Sequence, residues 1–108
     1  GNRFLDKGSI VFIDEPESAL HPTAIIKLLE IITVLAQAGM QFFLATHSYY
    51  VIKKLVLIAN EHNMPIPTFM ASQEGTWTQS CLLTDGLPDN EIINESIRLF
   101  EAEFEGIQ

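Results

Sequence analysis

With 108 residues, the chain is long enough for one small domain. Apolar residues make up 47% of it, which supports a buried core and excludes a disordered chain. Fourteen acidic residues outweigh six Lys and Arg, giving a formal net charge of −8. Because nucleic-acid binding needs a basic patch and the few cations are scattered, this chain is not expected to grip DNA or RNA by itself.

Three further features of the sequence bear on compartment and membrane association. No apolar run approaches the roughly 20 residues of a membrane span, and the first residues lack the pattern of a secretory signal. The single cysteine, Cys81, excludes an internal disulfide and fits a reducing compartment. The sequence therefore predicts a cytoplasmic protein without a membrane partner, and the apolar surroundings of Cys81 predict a buried thiol.

The first predicted element is a strand over residues 9–13 that ends in two adjacent carboxylates, Asp14 and Glu15, and stops at Pro16. Its apolar run is unbroken rather than alternating, which is typical of a strand buried on both faces of a parallel sheet. Open α/β sheets bind their ligands at the carboxyl ends of such strands. The acidic pair is therefore interpreted as functional rather than as solvated loop acids.

A helix and a second strand follow. Pro22, directly after His21, favours a helix start, and Gly39 suits the left-handed residue that ends a helix near Ala38. Dense β-branched residues over 31–35 leave a strand open as the alternative. Residues 41–46 are predicted to form the second strand, so the unit is βαβ with parallel strands and a right-handed crossover. Both strand ends, 14–15 and 46–47, are then expected at the same edge of the sheet.

The remaining chain is predicted to contain two helices and a hairpin. Ser48 can cap a helix over residues 49–60, and strands over 68–72 and 76–83 form an antiparallel hairpin. After a loop over 85–88, Asp89 caps a terminal helix whose apolar face comprises Ile93, Ile97, Phe100 and Phe104. The predicted fold class is α/β, with a parallel βαβ core, a C-terminal antiparallel β-hairpin and a terminal helix.

Three short segments carry a resemblance to a known family. The sequences IVFIDEP (10–16), SALHP (18–22) and LATHS (44–48) resemble the Walker B strand, the D-loop and the switch-histidine segment of ABC-type ATPases. Because His21 stands where transporters usually carry Asp, the spelling is most similar to the RecF/SMC-like and OLD-like AAA ATPase branch. The resemblance implies a partial P-loop NTPase (ABC-ATPase-like) fold, with residues 1–108 as a single partial domain from the C-terminal part of an ATPase head.

The resemblance also implies roles for individual residues. Asp14 would hold Mg²⁺, Glu15 would orient or deprotonate the attacking water, and His47 would contact the γ-phosphate of ATP. Ser18 and His21 would lie in the nucleotide-binding interface between two heads, so a head-to-head homodimer is the expected partner. Glu17 is interpreted as a solvated loop acid, with a supporting role behind the ligands as the alternative.

The 108 residues contain neither a Gly-x-x-x-x-Gly-Lys-Ser/Thr loop nor an LSGG-like signature. The chain is therefore expected to hold the hydrolytic half of an ATPase site and to be inactive alone, with any nucleic acid bound through other regions. Two alternatives remain open. One is a metal-dependent nuclease or phosphatase that uses Asp14, Glu15, Glu17 and a histidine; the other is a non-catalytic interaction scaffold.

Overall fold

The computed structural model describes residues 8–88, 94–95, 97–99 and 101–102. The chain forms two compact units, Gly1–Thr46 and His47–Gln108. The first contains strand β1 (Ile10–Asp14), a turn of 3-10 helix (Pro16–Ser18), helix α1 (Pro22–Gln37) and strand β2 (Gln41–Ala45). The second contains helix α2 (Tyr49–His62), the strands β3 (Pro67–Ala71) and β4 (Trp77–Cys81), and the short helix α3 (Leu82–Asp85).

The first unit is the predicted βαβ arrangement. β1 and β2 pair in parallel, with Ile10 opposite Gln41 and Asp14 opposite Ala45. The connection between them is helical, so the alternative of a strand over 31–35 is wrong. α1 begins at Pro22, contacts β2 and the 3-10 turn, and buries Ile25, Leu29 and Thr33. The buried Thr33 hydroxyl donates to the Leu29 carbonyl at 2.8 Å, so this polar group is satisfied inside the helix.

The sheet of the first unit is not buried on both faces as predicted. Exposure alternates along both strands, and Ile10, Phe12 and Phe43 are exposed, Phe12 by 77%. Phe12 and Phe43 lie opposite each other and their rings stack, with centroids 5.1 Å apart. The physical reason is that α1 is the only α-helix among residues 8–46, and one helical layer covers one face of a sheet.

The second unit is built around α2 and the hairpin. Ser48 caps α2 by accepting the Val51 N–H at 3.3 Å, as predicted, and Asn63 ends the helix in the left-handed conformation. β3 and β4 pair antiparallel, with Pro67 opposite Cys81 and Ala71 opposite Trp77, which confirms the hairpin. The core of this unit consists of Ile52, Val56, Ala59 and Leu82.

The end of the hairpin differs from the prediction. β4 stops at Cys81 rather than continuing to Leu83, and one turn of helix, α3, occupies Leu82–Asp85, where a strand end and a loop were expected. Two hydrogen bonds explain the change: the Leu82 N–H donates to the Ile66 carbonyl, and the Cys81 N–H to the Asp85 carboxylate. Cys81 is half-exposed rather than buried, so that prediction is wrong.

The C-terminal segment is described only in part. Residues 94–95, 97–99 and 101–102 are helical, in agreement with a terminal helix, and Ile97 packs against the core of the second unit. Asp89, Ile93, Phe100 and Phe104, which were also assigned to this helix, lie outside the described residues. No helix among the described residues has both the length and the apolar character needed to cross a membrane.

Candidate functional site

The carboxyl ends of β1 and β2 meet at one edge of the parallel sheet. Asp14 lies opposite Ala45, the last residue of β2, and the Glu15 N–H donates to the Ala45 carbonyl at 2.7 Å. The hydrogen bonding between the two strands therefore continues one residue past the end of β1. The acidic pair and Thr46 consequently share the edge at which α/β sheets place their ligands.

Glu15 adopts a strained backbone conformation at this edge. Its φ of 44° and ψ of 62° lie in the left-handed region, which costs a residue with a Cβ about 1–3 kcal/mol. The following turn is closed on Glu15 itself, because its carbonyl accepts the Ser18 N–H at 3.1 Å and the Ser18 hydroxyl at 2.8 Å. Buried Pro16 anchors the same turn. Glu15 thus lies in a tight turn directly after β1, and several hydrogen bonds and buried Pro16 hold that turn.

The two carboxylates differ in their exposure. Asp14 is exposed at the end of β1, whereas Glu15 is half-buried. An accessible carboxylate is the kind of hard oxygen ligand that Mg²⁺ prefers, since the ion retains several of its waters. Within the part of the chain that the structure describes, no three His, Cys, Asp or Glu side chains gather closely enough to form a metal centre.

Glu17 is not the solvated loop acid that the sequence predicted. It is half-buried, and its carboxylate accepts the Thr46 hydroxyl, which lies 2.6 and 2.9 Å from the two oxygens. The two residues are separated by 29 positions in the chain. Sequence reasoning missed this pair, although one signal was present: both residues closely follow the ends of strands predicted to be parallel neighbours.

Ser18 and His21 both have local structural roles in this unit. Ser18 forms the two bonds to Glu15 described above. The His21 side chain caps α1, because its Nδ1 accepts the Thr23 N–H at 3.3 Å. Both residues are exposed, and the bond from the Ser18 hydroxyl reaches the backbone carbonyl of Glu15 rather than its carboxylate. Their assignment to a nucleotide-binding interface stays a prediction.

His47 follows Thr46 directly in the chain and is the first residue of the second unit. Its side chain is exposed and precedes the Ser48 cap of α2. The first unit thus places Asp14, Glu15, Glu17 and Thr46 at one sheet edge. The role of His47 stays a prediction.

Comparison with known proteins gives a match to a family model and a similarity to a phage protein. Residues 3–53 match the family model described as "AAA domain, putative AbiEii toxin, Type IV TA system". The chain is also similar to the Old nuclease of Escherichia phage P2, with 45% identity over 40 residues. That alignment covers 37% of this chain but only 7% of the phage protein. No solved structure matches the chain.

The matched residues contain every element of the candidate edge: β1, the 3-10 turn, α1 and β2. The small α/β fold, with its parallel strand pair, is consistent with such a family without being specific to it. The family match and the similarity to the phage protein together support an AAA, P-loop ATPase family of OLD-like character for this chain.

Proposed function

We propose that the chain supplies the hydrolytic half of an ATPase site of the ABC type. The observation that carries the proposal is the strand-end geometry: Asp14 and the strained Glu15 lie in sequence at the carboxyl end of β1, bonded to the end of β2. A nucleotide hydrolase needs an oxygen ligand for Mg²⁺ and a group that orients the attacking water. Adjacent carboxylates at one sheet edge meet both needs.

The two carboxylates take different roles in this proposal. Asp14 is the more exposed and holds Mg²⁺, which neutralises charge on the phosphates when it is bound. Glu15 is held by backbone bonds on both sides and accepts a proton from water or orients it for attack. His47 donates a hydrogen bond to the γ-phosphate. Ser18 and His21 face the nucleotide or the second head of a homodimer.

The chain corresponds to a small part of the phage protein that it matches, so the complete ATPase is itself part of the proposal. None of the 108 residues forms a phosphate-binding Gly-x-x-x-x-Gly-Lys-Ser/Thr loop. The backbone amides and lysine of such a loop would come from other residues of the complete protein. ATP binding is therefore expected to depend on regions beyond the hydrolytic half described here.

Turnover of ATP by the complete protein tests this proposal. Glu15→Gln should lower kcat by roughly 10²- to 10⁴-fold, because general-base assistance is lost, while the Kd for ATP stays within a few-fold. Asp14→Asn should raise the Mg²⁺ concentration needed for half-maximal activity. Glu74→Gln, an exposed acid in the hairpin turn, is the matched control and should behave as wild type. Wild-type turnover in Glu15→Gln would refute the assigned role.

A metal-dependent nuclease is the second candidate, because the matched relative is named a nuclease. Glu17 would be required as a third carboxylate beside Asp14 and Glu15. Its bond to Thr46 instead points it towards β2, which favours the ATPase. Incubating the complete protein with plasmid DNA and Mg²⁺ separates the candidates. Nicking that Asp14→Asn and Glu15→Gln both abolish, without ATP hydrolysis in the wild type, would favour the nuclease.

A further inference from the structure

The turn that carries Glu15 is attached to β2 at two points. The first is the backbone bond from the Glu15 N–H to the Ala45 carbonyl. The second is the side-chain bond between Glu17 and Thr46, the residue next to Ala45. The two attachments lie on either side of buried Pro16. The left-handed turn at Glu15 is thus held by the Glu15 backbone N–H and by the side chain of Glu17, two residues further on.

The two attachments hold different parts of the turn, one at Glu15 and one at Glu17. The backbone bond at Glu15 attaches that residue to β2, and the two Ser18 bonds close the turn on itself without attaching it to β2. The Glu17 carboxylate is half-buried, and it accepts the Thr46 hydroxyl at 2.6 Å, a distance typical of a hydroxyl that donates to a carboxylate. That bond attaches the second half of the turn to the residue that follows β2.

We propose that Glu17 and Thr46 form a positioning pair that fixes the orientation of the Glu15 carboxylate for hydrolysis. The inference rests on the proposed ATPase function, and it assigns the pair no contact with ATP. Small misplacements of a reacting group reduce rates strongly, because the entropic advantage of a fixed geometry is lost. The pair is therefore expected to affect the chemical step and to leave the binding of ATP unchanged.

The test uses the complete protein with two variants of the pair. Thr46→Val keeps the β-branched shape and removes the donor, and is expected to lower kcat at least tenfold with the Kd for ATP within twofold. Thr46→Ser restores the hydroxyl and should recover most of the activity. Glu17→Gln keeps an acceptor oxygen without the charge and should fall between the two, which gives a second variant if Thr46→Val does not fold. Thr78→Val, at an exposed site on β4, is the matched control.

A double-mutant comparison distinguishes positioning from a general structural effect. If the pair acts through Glu15, Thr46→Val should lower the single-turnover rate in the wild-type background and cause no further fall in Glu15→Gln. Equal fold-losses in both backgrounds, or wild-type kcat in Thr46→Val and Glu17→Gln, would overturn the inference. The proposed function fails separately, when Glu15→Gln alone retains wild-type kcat.

Discussion

The backbone strain at Glu15 gives a prediction with an internal control. The left-handed region costs a residue with a Cβ about 1–3 kcal/mol, whereas glycine adopts it freely. Glu15→Gly and Glu15→Ala remove the same carboxylate, so they differ in the backbone alone: glycine relieves the left-handed strain, and its more flexible unfolded chain offsets part of that gain. With φ at 44° in the folded state, the glycine variant should have a free energy of unfolding about 1 kcal/mol higher than the alanine variant.

Glu30 supplies the control for this comparison, because it is an exposed acid in the interior of α1. There the order should reverse, since glycine costs about 1 kcal/mol relative to alanine inside a helix. The effect of exchanging alanine for glycine should therefore differ by about 2 kcal/mol between positions 15 and 30.

Urea unfolding followed by far-ultraviolet circular dichroism measures all four variants. With an m-value of about 1–3 kcal/mol/M, a difference of 1 kcal/mol moves the midpoint by roughly 0.3–1 M. The same order of stability at both positions, with alanine above glycine, would refute the strained conformation at Glu15. It would also remove the physical basis for treating that corner as a functional feature.

Two further predictions concern packing and the thiol. Leu29 in α1 is 1% exposed, so Leu29→Ala should lower the free energy of unfolding by about 3 kcal/mol. Val34 in the same helix is 64% exposed, so Val34→Ala should change the free energy of unfolding by under about 0.5 kcal/mol. Equal losses would contradict the packing described for α1. The pKa of Cys81 is lowered by the backbone N–H groups of Thr84 and Leu83, which favour the thiolate. The reaction of iodoacetamide with folded Cys81 should therefore reach half its maximal rate at a lower pH than its reaction with the urea-unfolded chain. The stability linked to the thiolate should decline as the pH falls through the pKa of Cys81 in the folded chain. A higher half-maximal pH in the folded chain would contradict the lowered pKa of Cys81.

Local signals in the sequence predicted the βαβ unit well. Pro22 and Gly39 mark the two ends of the region that becomes α1, and Ser48 marks the start of α2. These signals work because caps and left-handed residues depend on the few residues around them. The parallel pairing then follows, since two strands joined by a helix cannot form a tight hairpin.

Features that depend on distant residues were not predicted. The end of β4 depends on the bond from the Leu82 N–H to the Ile66 carbonyl on the other side of the hairpin, which the apolar run around Leu82 does not reveal. The exposed face of β1 has the same origin, because a strand's own sequence does not say how many layers pack on it. Glu17 was misinterpreted for a similar reason, since its partner, Thr46, lies 29 positions away.

In the proposed mechanism, Glu15 activates water in an ATPase built from two heads. Size-exclusion chromatography with light scattering on the complete protein carrying Glu15→Gln, in ATP and Mg²⁺, tests this role. The variant should form a stable dimer that retains unhydrolysed ATP, while the wild type returns to monomers as ATP is consumed. A Glu15→Gln protein that hydrolyses ATP at the wild-type rate and accumulates no ATP-bound dimer would contradict it.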